Sequence, residues 1–317
     1  MAGRRILVTG ASGCIGHYLS EVLIQHTDDE LFLVIRDPRK FKISTESHPN
    51  AHIVQADLRD LESLRSLLAT IHCAVLVATG WGDPELDVVK TLELIQALDP
   101  QVCQQVIYFS TASLLGRDGA ILPEATSLGT AYIRAKAACY EKLMAMDLDF
   151  PVFTVFPTLV VGGETAPPGH SSKPYSHLSA GLPEVLKWAG LLRFLKLEGS
   201  CHFIHAQDIA TVVLQLILHP ELAPSQTLVL GNAPITINEA IAGLCKAAHR
   251  RTYPRLQLDL TPALANGLIR LFKIQMGEWD YFCLRYRHFQ YENPVSPQTF
   301  GLKTAYPTLS DILSLPP

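Results

Sequence analysis

The chain has 317 residues, 48% of them hydrophobic and 18% charged, which excludes global disorder and allows a large buried core. Its formal charge is −4 and no basic run is longer than two residues, as at Arg250–Arg251, so a phosphate-tracking nucleic-acid surface is not indicated. Seven scattered cysteines with no Cys-x-x-Cys pair argue against a disulfide framework or zinc site. The start lacks a long apolar signal region, and the most apolar later stretch, Ile209–Leu218, is far short of the roughly 20 residues a bilayer span needs. A soluble, cytoplasmic protein with no membrane partner is expected.

In chain order, Arg5–Thr9 reads as a buried strand and Ile15–Gln25 as an amphipathic helix. Leu31–Ile35 and His52–Gln55 read as the next two strands, and Leu58–Leu68 as a helix with leucines on one face. Ala74–Ala78 and Val106–Phe109 are strand-like, with a helix over Leu86–Leu98 between them. Ala131–Met146 reads as a helix and Val152–Phe156 as a strand. This alternation predicts an α/β fold, a doubly wound parallel sheet covered on both faces. After Gly162–Gly163 the character changes. Pro167, Pro168, Gly169, Ser171 and Ser172 mark a loop, and Leu182–Leu195 reads as a helix. Phe203–Ile204 and Thr227–Leu230 read as strands, Ile209–Leu218 and Ile237–His249 as helices, and the tail from Leu260 as less regular. The expected division is 1–162 for a dinucleotide-binding domain, with the strands near 203 and 227 returning to it, and 163–317 for a smaller substrate-binding lobe.

The segment Gly10-Ala11-Ser12-Gly13-Cys14-Ile15-Gly16 follows the first strand and opens the first helix. Glycines at this spacing allow a tight turn, close approach of backbone to a pyrophosphate, and close helix–strand contact. The helix start adds free N–H groups and a positive dipole end. A nicotinamide dinucleotide is the expected ligand. At the end of the second strand, where an acid would accept the ribose hydroxyls of NAD, stands Arg36, twenty residues after Gly16. A guanidinium fits a 2′-phosphate in bidentate fashion, so NADP is expected over NAD. Arg39 or Lys40 could add charge, and Asp37 could still reach a ribose. Asp57, just before Leu58, is expected to cap a helix, to contact the adenine amine, or both.

Tyr132 and Lys136 stand four apart and share a helix face. A free tyrosine, with a pKa of about 10, is a poor acid or base near neutrality. A neighbouring ammonium, with the oxidised nicotinamide, would favour the phenolate and lower that value. The fifth strand ends in Ser110 and Thr111, so a hydroxyl lies at the carboxyl edge of the sheet, where ligands bind in open α/β folds. The twelve histidines lack metal-ligand spacing, and His202 and His205 are read as structural.

These pieces, in this order, resemble the extended short-chain dehydrogenase/reductase family, in its epimerase/dehydratase-like branch, over about residues 4–210. Further matching segments are Ala56-Asp57-Leu58, Pro157-Thr158-Leu159, Phe203–Ala210, and an ending from Asn293 to Ile312. The resemblance implies a Rossmann fold, with Tyr132 as acid/base, Lys136 as its activator and as a holder of the nicotinamide ribose, and Thr111 as the hydrogen-bond partner of the substrate oxygen. Ser110 or Ser113 would be the fallback. It also implies that Ala78, Thr79 and Gly80 line the cofactor, that Pro157, Thr158 and Leu159 lie beside the nicotinamide, and that dimers form through the helices near 86–98 and 131–146. The chain departs from the family pattern at Phe156, where arginine is common, at Asp87, where asparagine is common, and at Glu141, which falls five rather than four after the lysine.

Three functions compete. An NADPH-dependent reductase of a ketone or aldehyde suits Arg36, and Ile35-Arg36-Asp37-Pro38 is similar to the run in dihydroflavonol reductase-like members. The stripe Leu182, Val185, Leu186, Trp188, Leu191, Leu192 and Phe194 suggests an apolar or aromatic small-molecule substrate, or simply a buried helix face. A nucleotide-sugar epimerase or dehydratase is the second reading. Dehydration is disfavoured because Ala112-Ser113 cannot supply the acid and base that family dehydratases place after the threonine. A non-catalytic dinucleotide-binding protein is the third.

Overall fold

A computed structural model describes residues 3–45, 48–165, 172–253, 256–271 and 275–313. The predicted loop residues Pro167, Pro168, Gly169 and Ser171 lie outside the described residues. The first strands are β1 (Arg5–Thr9), β2 (Glu30–Ile35), β3 (Ala51–Gln55), β4 (Cys73–Leu76), β5 (Gln105–Phe109) and β6 (Val152–Pro157). The strand Thr227–Leu230 lies beside β6 at one edge, giving the order 227–230, β6, β5, β4, β1, β2, β3. Every pairing in this seven-stranded sheet is parallel. The doubly wound fold expected from the alternating pattern is therefore present. Phe203–His205 instead pairs with Leu159–Val161 in a separate two-stranded sheet.

The period of two along β1 shows why both faces are covered. Ile6 and Val8 join one core with the apolar side of α1 (Cys14–His26) and with the helix Ala206–Leu218. Leu7 joins the opposite core with Leu64, Leu68, Leu94, Ile95, Cys139 and Leu143. The near-continuous apolar runs of β1, β2 and β5 reflect burial on both sides.

Several helices differ from expectation. The segment expected as one helix over Leu58–Leu68 is a 3₁₀ turn, Leu61–Leu64, followed by one α-turn, Arg65–Leu68. Asp57 closes its own local turn, its carbonyl accepting from Asp60 N at 2.9 Å, and delays the helix. The segment Leu86–Leu98 opens as a π-helical turn, Glu85–Lys90, before α-helix Thr91–Gln96. The helix expected over Leu182–Leu195 starts earlier, at His177, where Ser176 caps it by accepting from Ser179 N at 3.1 Å. It ends at Lys187, a short turn follows at Ala189–Leu192, and Leu195–Lys196 is extended. None of the His177–Lys187 side chains is buried, so the apolar stripe there is not a core face. The tail holds more helix than expected, at Pro262–Leu271 and Glu278–Tyr286. The aromatic stretch there is packed: Trp279, Phe282 and Tyr291 are buried, and Tyr291 OH donates to the Ala112 carbonyl at 2.6 Å.

Candidate functional site

Because the sheet is parallel, the segments after β1 to β6 emerge at one edge. Gly10 turns out of β1 with φ +70°, and a Cβ there would sit 2.7 Å from Ala78 N across the switch between β1 and β4. A Cβ on Gly16 would lie 2.1 Å from the Gly10 carbonyl. These two glycines serve the chain's own packing. Gly13 differs: it is exposed, a Cβ there would meet only the Gly10 oxygen at 3.3 Å, and it stands as N-cap of α1 without a capping side chain. The first-turn amides near Ser12, Cys14 and Ile15 thus border an open cradle that fits a pyrophosphate.

His17 braces this cradle and is fully buried. Lys42 N–H can only donate, so it binds His17 Nε2 at 3.2 Å and leaves the Nδ1 proton to donate to the Gly13 carbonyl at 2.9 Å. One imidazole links the glycine loop to the segment carrying Arg36. Arg36 is exposed and, among the described residues, makes no ion pair. Asp37 is spent on Arg39, accepting from its Nε at 2.9 Å and Nη2 at 3.1 Å. Asp37 and Arg39 therefore neutralise each other, and Arg36 and Lys40 carry the charge at the end of β2.

Asp57 does not cap an α-helix; it accepts from Arg59 N at 3.0 Å. Arg59 spans the gap to Asp83, with Nη2 to Oδ2 at 2.5 Å. Leu58 and Ala78 line a small cavity with Thr9 and Leu86. Thr79 and Gly80 are fixed by Asp87, which is 1% exposed on the π-helical turn. Its carboxylate accepts from Thr79 Oγ1 at 2.8 Å, from Gly80 N at 2.7 Å and from Gly82 N at 2.7 Å. After β6, Thr158 Oγ1 donates to the Leu230 carbonyl at 2.9 Å, so Pro157, Thr158 and Leu159 are pinned to the neighbouring strand and Leu159 is left exposed.

The structure brings Thr111, Tyr132 and Lys136 together. The Tyr132 phenol lies beside Thr111, whose hydroxyl accepts from Ser113 N at 3.4 Å. Lys136 is buried, donates to the Phe109 carbonyl at 2.9 Å, and sits 5.1 Å from the Tyr108 ring centre. Ser110 Oγ is buried beside them without a partner among the described residues. Among the chain's own groups the ammonium does not lower the phenol. Burial pushes Tyr132 up to about 12, Asp87 pushes the same way, and only the Thr111 hydroxyl opposes them. Burial lowers Lys136, with Asp87 countering. The ammonium is held by the Phe109 carbonyl, so the protein's own groups keep Tyr132 protonated at neutral pH.

The model of the NAD dependent epimerase/dehydratase family matches residues 6–231. The chain belongs to this family. No curated protein matches it in sequence. Among solved structures, a nucleoside-diphosphate-sugar epimerase from Pseudomonas aeruginosa is similar at 15% identity and TM-score 0.67, over 98% of this chain and 95% of that one. A dTDP-glucose 4,6-dehydratase from Bacillus anthracis str. Ames, in complex with NAD, is similar at 14% identity and TM-score 0.64, over 98% and 94%. A UDP-glucose 4-epimerase is similar at 16% identity and TM-score 0.65, over 98% and 95%. At these identities the likeness is one of fold.

In this epimerase/dehydratase-family chain, sequence reasoning undervalued Asp87, noted only as a departure from asparagine, and missed His17 and Trp81. The signal for Trp81 was its setting, Gly80-Trp81-Gly82 in the loop after β4, where two flanking glycines mark a tight turn presenting a large ring. His202 and His205 are both backbone-bonded: His202 Nδ1 to the Asn232 carbonyl at 2.7 Å, and His205 Nδ1 accepting from Gln207 N at 3.1 Å as cap of the helix Ala206–Leu218. No described helix is long and apolar enough to cross a membrane.

Proposed function

We propose that this chain is an NADPH-dependent reductase of a ketone or aldehyde on a small, apolar molecule. The observation that carries the reading is Arg36 at the end of β2, without an ion pair among the described residues and beside an acid already consumed by Arg39. A guanidinium free to fork onto a phosphate favours NADP over NAD. In this reading the loop Gly10–Gly16 holds the pyrophosphate and Arg36 the 2′-phosphate. Asp57, Leu58, Ala78, Thr79 and Gly80 border the adenosine half and the diphosphate. Lys136, Pro157, Thr158 and Leu159 border the nicotinamide half. NADPH, when bound, supplies the hydride.

The proton comes from Tyr132. Its hydroxyl, kept protonated by burial and by Asp87, donates to the substrate oxygen while Thr111 hydrogen-bonds the same atom. Lys136, anchored to Phe109 O, would act together with the oxidised nicotinamide in favouring the phenolate left after transfer. The proposal includes a cytoplasmic location and a homodimer through the helices carrying Val89 and Met144, two exposed apolar side chains.

The test is to incubate the purified chain with NADPH or NADH and a panel of ketones, aldehydes and nucleotide sugars, following nicotinamide absorbance. Net oxidation of NADPH with a carbonyl compound is the expected result. Sugar turnover without net oxidation would establish an epimerase instead, and cofactor binding without turnover across the panel a non-catalytic binder.

A further inference from the structure

Trp81 is held in an unusual way. Its φ is +55°, a left-handed conformation that a bulky residue rarely adopts. Its indole is 64% exposed, so little burial offsets the strain. The backbone around it is nevertheless fixed. The amides on either side, of Gly80 and Gly82, both donate to Asp87, and Trp81 N donates to Thr79 Oγ1 at 3.2 Å. Gly82 lies so close to the helix Ala131–Met144 that a Cβ there would meet Tyr132 N at 2.6 Å. The turn thus presents one ring at one place. That ring lies 5.4 Å from the Tyr132 ring, tilted by 34°, and 5.7 Å from the His177 ring, tilted by 47°. His177 opens the first helix of the substrate lobe, so the indole spans the mouth between the two halves of the chain, against the tyrosine that donates the proton. No described lysine or arginine stands over the indole.

A strained, exposed, backbone-locked aromatic beside the reacting group is a ligand contact rather than a stability device. We propose that Trp81 is a specificity-determining residue, a flat wall of the substrate site that selects carbonyl compounds carrying a planar aromatic ring. This rests on the reductase reading for its substrate class. An indole face attracts a planar π-system more than a saturated ring of equal size, because offset stacking adds to area burial.

The test measures binding by calorimetry of acetonaphthone and of its ring-saturated analogue to the full chain, with and without NADP⁺. Neither mixture can turn over, since ketone and NADP⁺ are both oxidised. The wild type should bind the aromatic ketone roughly tenfold more tightly than the saturated one. Trp81→Asn tolerates the left-handed backbone and should erase that ratio by weakening the aromatic ketone alone; Trp81→Phe should keep part of it. An unchanged ratio in Trp81→Asn, equal weakening of both ketones, or no wild-type preference overturns the proposal. Turnover separates it from the reductase reading. A ratio that collapses in a protein that reduces no carbonyl leaves the wall standing and removes the reductase; reduction with an unchanged ratio does the reverse.

Discussion

Replacing Asp87 by asparagine tests the link between the π-helical turn, the loop after β4 and the phenol of Tyr132. The carboxylate is buried and receives three hydrogen bonds, two at Oδ1 and one at Oδ2. Asparagine can keep the two at its carbonyl oxygen, from Thr79 and Gly80. Its amide group then faces the Gly82 N–H, donor against donor, across a distance that is now 2.7 Å. Losing one charge-assisted bond costs about 1.5–3 kcal/mol, and relief from burying a charge returns part of it, so a net loss of about 1–3 kcal/mol is expected. For a chain of this size that lowers the melting temperature by roughly 1.5–4.5 °C. The electrostatic effect has a definite sign. The Asp87 anion raises the Tyr132 pKa, so removing it lowers that pKa, and the alkaline limb of the reductase pH profile moves to lower pH. Melting of the cofactor-free protein and rate–pH profiles of both forms check the two halves. A melting temperature within about 1 °C of wild type together with an unmoved alkaline limb would refute the reasoning.

Arg36→Asp should weaken NADPH binding about 10- to 100-fold while changing NADH binding little, read by fluorescence titration with each cofactor; equal effects would sink the NADP assignment. Gly16→Ala places a methyl 2.1 Å from the Gly10 oxygen, so the loop must shift at a cost of roughly 1–3 kcal/mol or more, and calorimetry should show cofactor binding weakened at least tenfold. Burial lowers His205 to about 4, and its Nδ1 lone pair caps a helix. The unfolded histidine, near 6.5, takes up a proton first, so this contribution is present above 6.5 and is lost as pH falls toward 4. It amounts to about 3 kcal/mol at most. Urea midpoints should fall from pH 7 to pH 5, and His205→Asn should flatten that dependence.

The glycine loop was legible because its chemistry is local: strand, turn and helix start are contiguous in sequence. The central strands were legible for a related reason, since burial on both faces leaves short apolar runs whatever the partner. Helices whose course depends on distant groups were not. Glu85–Lys90 widens to a π-turn where Asp87 must reach three groups on the loop after β4, and no period in its own residues announces that. The helix His177–Lys187 carries Pro183 inside it, and its cap at Ser176 lies six residues before Leu182, where the apolar stripe begins. Thr111, Tyr132 and Lys136 were found from spacing and order. Their electrostatics were not, because the burial that raises Tyr132 and the Phe109 carbonyl that holds Lys136 are properties of the assembled site. Asp37 shows the same limit. Beside Arg36 it looks available to a ribose, and only the folded chain reveals Arg39 folded back onto it.

The central claim is that this site transfers a hydride from NADPH to a carbonyl carbon with Tyr132 as proton donor. NADPH deuterated at both C4 positions, the purified chain and a ketone or aldehyde that the panel shows to be reduced test it directly, with mass spectrometry of the product. One deuterium should appear on the carbinol carbon with wild type. Tyr132→Phe should bind NADPH with unchanged affinity and transfer deuterium at least about 100-fold more slowly. A product without deuterium on the carbinol carbon while wild type converts substrate, or undiminished transfer by Tyr132→Phe, would contradict the account.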